Sequence, residues 1–140
     1  ALLRVLVGEF EKSGFNVIGS EQAHAALLAP AGFTPGAEPD GQAPVYDVAP
    51  GELYMRALRL IGEKREWQLG QQDAGAMHLS FIAVTPLMRF KDDIDLAVLP
   101  VAGQPGKSTF AAYSRSRVGY SDLGANRKRL EALAAALQSP

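Results

Sequence analysis

The chain has 140 residues, of which 47% are hydrophobic and 21% are charged, and its formal net charge is -1. These values match soluble globular proteins, so they exclude global disorder, collagen-like repeats and coiled coils. The near-neutral charge argues against nucleic acid as a partner bound through bulk positive charge, although it is compatible with a local basic patch. The chain contains no cysteine, which excludes disulfides, thiolate metal sites and a cysteine nucleophile. We expect a soluble chain, cytoplasmic or periplasmic, with no apolar run long enough to span a bilayer.

The first part of the chain, residues 1–43, predicts a helix-strand-helix appendage. Apolar side chains at helical spacing indicate a helix over residues 1–13, a short strand follows over residues 15–18, and a second helix runs from Ser20 to about Leu28. Residues 29–50 then carry five prolines and little periodicity. This composition predicts a linker or an irregular wrap.

Residues 44–140 predict a small α+β domain. Pro50 suits the first position of a helix that ends near Gly62 or Lys64, and a C-terminal helix runs from about Asp122 to Leu137. Short connections between the predicted strands favour an antiparallel meander. The predicted fold is a four-stranded antiparallel sheet with helices packed on one face. The four strands are predicted over residues 66–71, 77–84, 93–101 and 109–117.

The third predicted strand has the alternation expected when one face of a sheet is exposed to water. Its side chains alternate between two sets, Ile94, Leu96 and Val98 against Asp93, Asp95 and Ala97. We therefore expect the aspartates to lie on a solvent-exposed face.

The most distinctive segment, residues 114–129, brings hydroxyls, guanidinium groups and glycines together at the turn from the last strand to the C-terminal helix. Backbone N–H groups at a helix start and nearby arginines converge well on an anion. The sequence therefore predicts a corner that accepts phosphate, sulfate or carboxylate. The predicted ligand-binding residues are Arg115, Arg117, Ser121, Asn126 and Arg129.

The same segment also fits a purely structural interpretation. Ser121 or Asp122 is suited to cap the helix. Arg115 and Arg117, two residues apart on a strand, project from one face and are placed to pair with an aspartate of the neighbouring strand. The predicted structural network consists of Asp92, Asp93 and Asp122, with Asp95 as a further possible partner of the arginines.

A family resemblance rests on the same residues. The pattern Ser-Arg-Ser-Arg-x-Gly-x-Ser-Asp-Leu-Gly-x-Asn-x-x-Arg at 114–129, preceded by Phe-Lys-Asp-Asp at 90–93, resembles the signature of the domain of unknown function 1499 family. The resemblance covers about residues 45–140. It implies a small bacterial or plastid domain, often in membrane-spanning or exported proteins, with no established activity.

Residues 1–43 carry a second resemblance. The segments 1–4, 9–12, 14–19 and 27–32 are similar to an internal stretch of the UDP-2,3-diacylglucosamine pyrophosphatase family of lipid A synthesis. The metal-binding acids of that family belong to a later part of its chain, which has no counterpart here. Two families in one chain imply a fusion, a rearranged gene or a composite chain, and an accidental similarity remains an alternative.

Other chemistries have less support in the sequence. The two histidines, His24 and His78, lie far apart and form no metal-ligand spacing, so no metal and no cofactor is predicted. His78 is interpreted as a sheet residue beside a turn. Residues 103–108 lack the spacing of a phosphate loop and lie between two strands, so they predict a hairpin loop. No serine is followed by the residues of a nucleophile elbow.

Three hypotheses about function follow. The first is a non-catalytic binding or interaction module of the cell envelope, whose partner is a small anionic ligand or a protein. The second is an enzyme fragment, or a fusion to a hydrolase of lipid A synthesis. The third is a scaffold subunit in which arginines and aspartates serve only the fold. The first hypothesis makes the chain non-enzymatic.

Overall fold

The computed structural model describes residues 25–30, 40–85, 89–117 and 125–139. The described chain is a mixed α+β fold with two helices and one sheet, as predicted at the level of fold class. Its elements in chain order are β1 (Ala25–Ala29), β2 (Gly41–Gln42), α1 (Pro50–Glu63), β3 (Trp67–Asp73), β4 (His78–Val84), β5 (Lys91–Val101), β6 (Gln104–Ser116) and α2 (Ala125–Ala136).

The sheet has six strands in the order β2-β1-β6-β5-β4-β3, so the prediction of four strands is wrong in number. Strands β3 to β6 form the predicted antiparallel meander. Strand β1 adds to the other side of β6 in antiparallel orientation, and β2 pairs with β1 in parallel over two residues. The last strand of the meander therefore lies inside the sheet and not at its edge.

Strand β1 replaces the end of the helix that was predicted to reach Leu28. Its sequence, Ala-Ala-Leu-Leu-Ala, favours a helix locally, because alanine and leucine have high helix propensity. Pairing with β6, in which Ala25 faces Arg115 and Leu28 faces Ala112, overrides that preference. The first predicted helix, the predicted strand and the start of the second helix fall within residues 1–24, which lie outside the described residues.

Both helices pack on the same face of the sheet and share one hydrophobic core. Helix α1 begins at Pro50 as predicted, and its buried residues include Leu53, Ala57 and Ile61. Helix α2 buries Leu130 and Leu133 against the same cluster. The sheet supplies alternate side chains of its inner strands, Ala26, Leu28, Leu79, Phe81, Ala83, Ile94, Leu96, Val98, Phe110 and Ala112.

The opposite face of the inner strands is also buried, so the prediction of a wet face is wrong for most of β5. Asp95 has no exposed surface, and Ala97 is buried as well. A second apolar cluster lies on this face, formed by Leu27, Ala29, Ala97, Leu99, Ala111 and Tyr113. The alternation of apolar and polar residues in β5 therefore distinguishes two faces without showing that one is exposed.

The connection between β5 and β6 is the hairpin that the sequence predicted, although its turn is tighter. Strand β5 ends at Val101 and β6 begins at Gln104. Gly103 lies in the turn with a φ of 74°, a conformation that glycine adopts without a steric penalty. Because two antiparallel strands flank this turn, the segment does not lead into a helix as a phosphate loop does.

Candidate functional site

The predicted corner is assembled from three elements that meet at one end of the sheet. The end of β6 carries Arg115, the start of β5 carries Asp92 and Asp93, and the first described turn of α2 carries Asn126. The register of the two strands places Asp93 opposite Arg115 and Asp92 opposite Ser116. Successive side chains of a strand point to opposite faces, so the corner divides into two groups.

The group on the helix side is a buried polar network centred on Arg129. Its Nη2 lies 2.8 Å from Oδ2 of Asp92, and the two side chains are 13% and 5% exposed. Its Nη1 donates to Oγ of Ser114 at 3.2 Å and to Oδ1 of Asn126 at 3.0 Å. The Arg129 guanidinium is thus already surrounded by acceptors from both strands and its own helix.

Asn126 extends this network to the end of β6. Its Oδ1 accepts a hydrogen bond from Oγ of Ser114 at 2.5 Å, and its Nδ2 donates to Oγ of Ser116 at 2.9 Å. Asn126 is 1% exposed, and a buried amide requires such partners. The network therefore holds the start of helix α2 against β6.

The group on the opposite face is more open to solvent. Nε and Nη2 of Arg117 donate to the two carboxylate oxygens of Asp93 at 2.8 Å and 2.9 Å. This fork geometry raises the pKa of Arg117, chiefly through the hydrogen bond and then through the charge of Asp93. Arg115 and Lys91 are exposed on the same face, and Arg115 has no ion-pair partner within the described ranges.

The structure therefore divides the predicted site residues between two faces of the sheet. Arg115 and Arg117 lie on one face, whereas Asn126 and Arg129 lie on the other. Ser121 and Asp122 lie outside the described residues.

A buried histidine and aspartate form a further polar group that the sequence did not link. His78 is the first residue of β4, which confirms its interpretation as a sheet residue beside a turn. Its Nε2 lies 3.2 Å from Oδ1 of Asp95, and the side chains are 8% and 0% exposed. Tyr113 faces Asp95 across the strands, and burial raises the pKa of the Tyr113 phenol. His78 and Asp95 are linked only by their proximity across neighbouring strands. That proximity depends on the strand register, which patterns in a single sequence do not reveal.

A cavity of about 440 Å³ lies between α2 and the β2 side of the sheet. Leu28 and Pro44 form part of its apolar wall, and Arg127 and Glu131 line it from α2. Nη2 of Arg127 is also near Gly41. No sequence pattern indicated this cavity, because the β2 residues lie in the segment predicted as a linker.

The part of the chain that the structure describes contains no group of three or more histidines and acids placed to hold a metal ion. Neither described helix is long and apolar enough to cross a bilayer.

Comparison with known families gives a match over residues 20–137 to the family described as "Protein of unknown function (DUF1499)". The chain belongs to this family. The DUF1499 match begins before β1 and so covers both strands that extend the meander. It also overlaps the second half of the segment that resembles the lipid A hydrolase, and that resemblance is unconfirmed. No curated protein matches the chain.

A solved structure with a similar fold is the di-domain ARO/CYC protein BexL from the BE-7585A biosynthetic pathway. The TM-score is 0.51 and the sequence identity is 13%. The alignment covers 69% of this DUF1499 chain and 43% of the BexL chain, so the match spans less than half of that protein. At this identity the similarity concerns the fold alone.

Proposed function

We propose that this DUF1499 domain is a non-catalytic binding module that accepts an anion at its strand-to-helix corner. The observation that carries the proposal is the charge on the open face of the corner. Lys91, Arg115 and Arg117 lie there at neighbouring positions, and Asp93 is the carboxylate between them. Three cations against one carboxylate leave positive charge that a phosphate or carboxylate ligand would neutralise.

Arg115 and Arg117 are the proposed contacts with the ligand. The bonds to Asp93 use Nε and Nη2 of Arg117, so Nη1 remains as a donor within the described part of the chain. A guanidinium fixed by a neighbouring carboxylate loses less side-chain entropy on binding than a free one. Arg115 adds a second exposed guanidinium on the same face.

Asn126 and Arg129 belong to the proposed site in a supporting role. Their polar atoms bond to Asp92, Ser114 and Ser116, so their contribution is to hold the end of β6 that carries the ligand contacts. Ser121, which lies outside the described residues, belongs to the proposed set through its sequence motif alone.

The proposal is tested by measuring the melting temperature against phosphate, sugar phosphates, nucleotides and small carboxylates. A ligand that binds only the folded state raises the melting temperature. We expect one anion class to raise it for the natural chain and not for Arg115→Gln/Arg117→Gln. The exposed ion pair with Asp93 is worth about 1 kcal/mol or less, so the double variant should remain folded.

Arg59→Gln is the matched control, because Arg59 is an exposed arginine on α1, away from the corner. The control should keep the full response to the anion. An equal response in the folded Arg115→Gln/Arg117→Gln variant, or no response of the natural chain to any anion, would overturn the proposal.

A further inference from the structure

The corner is one part of a larger cationic surface at the same end of the sheet. Strands β4 and β6 end there, whereas β3 and β5 begin there, as their antiparallel registers require. We call this surface the basic end and define it by six exposed cations, Lys64, Arg65, Arg89, Lys91, Arg115 and Arg117.

In the part of the chain that the structure describes, the acidic residues at this end do not balance these six cations. Glu63, Glu66 and Asp93 lie at the same end, and the buried pair of Arg129 with Asp92 adds no net charge. Among the described residues, this end therefore has three more cations than carboxylates outside that buried pair. An excess of one sign of charge on a surface attracts ligands and surfaces of the opposite sign.

The cations are spread along the ends of several strands and are not gathered around one point. Neighbouring strands lie about 4.8 Å apart, so the row from β3 to β6 is roughly 14 Å wide. The described cavity lies elsewhere, beside Gly41 and α2. A wide row of exposed charges suits a broad anionic surface better than one small ion.

Arg89 is held within this row in a specific conformation. Its φ is 60°, a left-handed value that bulky residues seldom adopt. Its N–H donates to the carbonyl of Thr85 at 3.0 Å, and the Thr85 hydroxyl accepts from the N–H of Phe90 at 2.8 Å. These bonds fix the backbone that carries the exposed Arg89 side chain.

We infer that the basic end docks on a bilayer surface that contains anionic phospholipids. The inference rests on the proposed function, since it makes lipid headgroups the anions that Arg115 and Arg117 meet. Juxtamembrane clusters of four to eight basic residues bind anionic leaflets in this way.

Single-stranded nucleic acid fits this surface less well, because it requires aromatic rings on which bases stack. At this end Trp67 already contacts Phe81, with ring centroids 4.8 Å apart, and Lys64 lies over the Trp67 ring.

The test is co-sedimentation of the full chain with vesicles of phosphatidylcholine alone or mixed with phosphatidylglycerol. We expect binding to the mixed vesicles only, and its loss at high salt, because exposed charges are screened. Each cation near the surface contributes about 1 kcal/mol, which corresponds to about a fivefold change in partition coefficient. Lys64→Gln/Arg65→Gln, far from Arg115, should therefore bind roughly 25-fold more weakly.

Lys107→Gln is the control, because Lys107 lies at the opposite end of the sheet. It should bind as the natural chain does, and melting curves establish that every variant is folded. The inference is overturned if mixed vesicles do not bind, if Lys64→Gln/Arg65→Gln binds equally well, or if duplex or single-stranded DNA competes the chain off the vesicles. A phosphate-dependent rise in melting temperature without vesicle binding would overturn the inference and leave the proposed function in place.

Discussion

The ion pair of Asp92 and Arg129 lies where the strand-to-helix corner is closed to solvent. Both side chains are nearly buried, and Ser114 and Asn126 supply further hydrogen bonds. A buried charge loses its hydration, and its partner has to compensate for that loss. Removing one partner therefore costs more than the pair contributes as a whole.

Arg129→Met is expected to lower the free energy of unfolding by about 3–5 kcal/mol, because Asp92 remains as a buried unpaired carboxylate. Urea denaturation measures this loss. Lys128→Met, at an exposed position of the same helix, should change stability by about 0.5 kcal/mol or less. Replacing both partners, Asp92→Leu with Arg129→Met, should recover part of the loss. A loss below about 1 kcal/mol for Arg129→Met contradicts the buried network.

Strand β1 precedes the predicted domain boundary, yet it is part of the sheet of the domain. It pairs with β6 over four residues and contributes buried side chains to both faces of the sheet. Leu28 lies in the main core and Leu27 in the second cluster, and both are buried. The predicted boundary between residues 43 and 44 would separate this strand from its neighbour.

Deleting residues 1–43 is expected to lower the melting temperature substantially or to prevent cooperative folding. Burial of a leucine side chain contributes about 1.5–3 kcal/mol, and the deletion removes two buried leucines together with the hydrogen bonds of β1. Circular dichroism and thermal melting of residues 44–140 measure the effect. An unchanged melting temperature would instead support the predicted boundary.

Patterns along the chain predicted the elements whose signals are local. Pro50 and the apolar spacing after it indicated α1, and alternation in β5 indicated a strand. Strand β1 was missed because its alanines and leucines have no strand signature, and only pairing with β6, more than 80 residues later, makes it extended. The sequence motif named the residues of the predicted corner, but their division between two faces of the sheet depends on the register between β5 and β6.

The pKa shifts of three buried tyrosines indicate how the stability of the folded protein depends on pH. Burial raises the pKa of Tyr46, Tyr54 and Tyr113, and for each it is the main cause. The unfolded chain loses a phenolic proton near pH 10, whereas the folded chain retains it. Above that pH the unfolded state binds fewer protons than the folded state. The contribution of these tyrosines to the free energy of unfolding is therefore fully present below about pH 10 and is lost as the pH rises further.

Urea denaturation between about pH 8 and about pH 11 should show this loss, and Tyr46→Phe should make it shallower. Tyr46 donates to the carbonyl of Ala134 at 2.6 Å, so the substitution also costs about 1 kcal/mol at neutral pH. Tyr54→Phe serves as a comparison, because its bond to the carbonyl of His78 is longer, at 3.3 Å. An alkaline slope unchanged by Tyr46→Phe would remove Tyr46 as a source of the effect.

The two adjacent aspartates at the start of β5 also specify how the sheet is aligned. Asp92 meets Arg129 on one face, and Asp93 meets Arg117 on the other. A slip of β5 by one residue would turn each carboxylate to the opposite face, because side chains alternate along a strand. A slip in one direction would bring Lys91 against Arg129, and a slip in the other would bring Ile94 against Arg117. Either slip would put an aspartate, Asp93 or Asp95, into the core position of Ile94. Misaligned pairings of β5 with β6 are therefore penalised by charge and by packing at once, which favours a single register during folding.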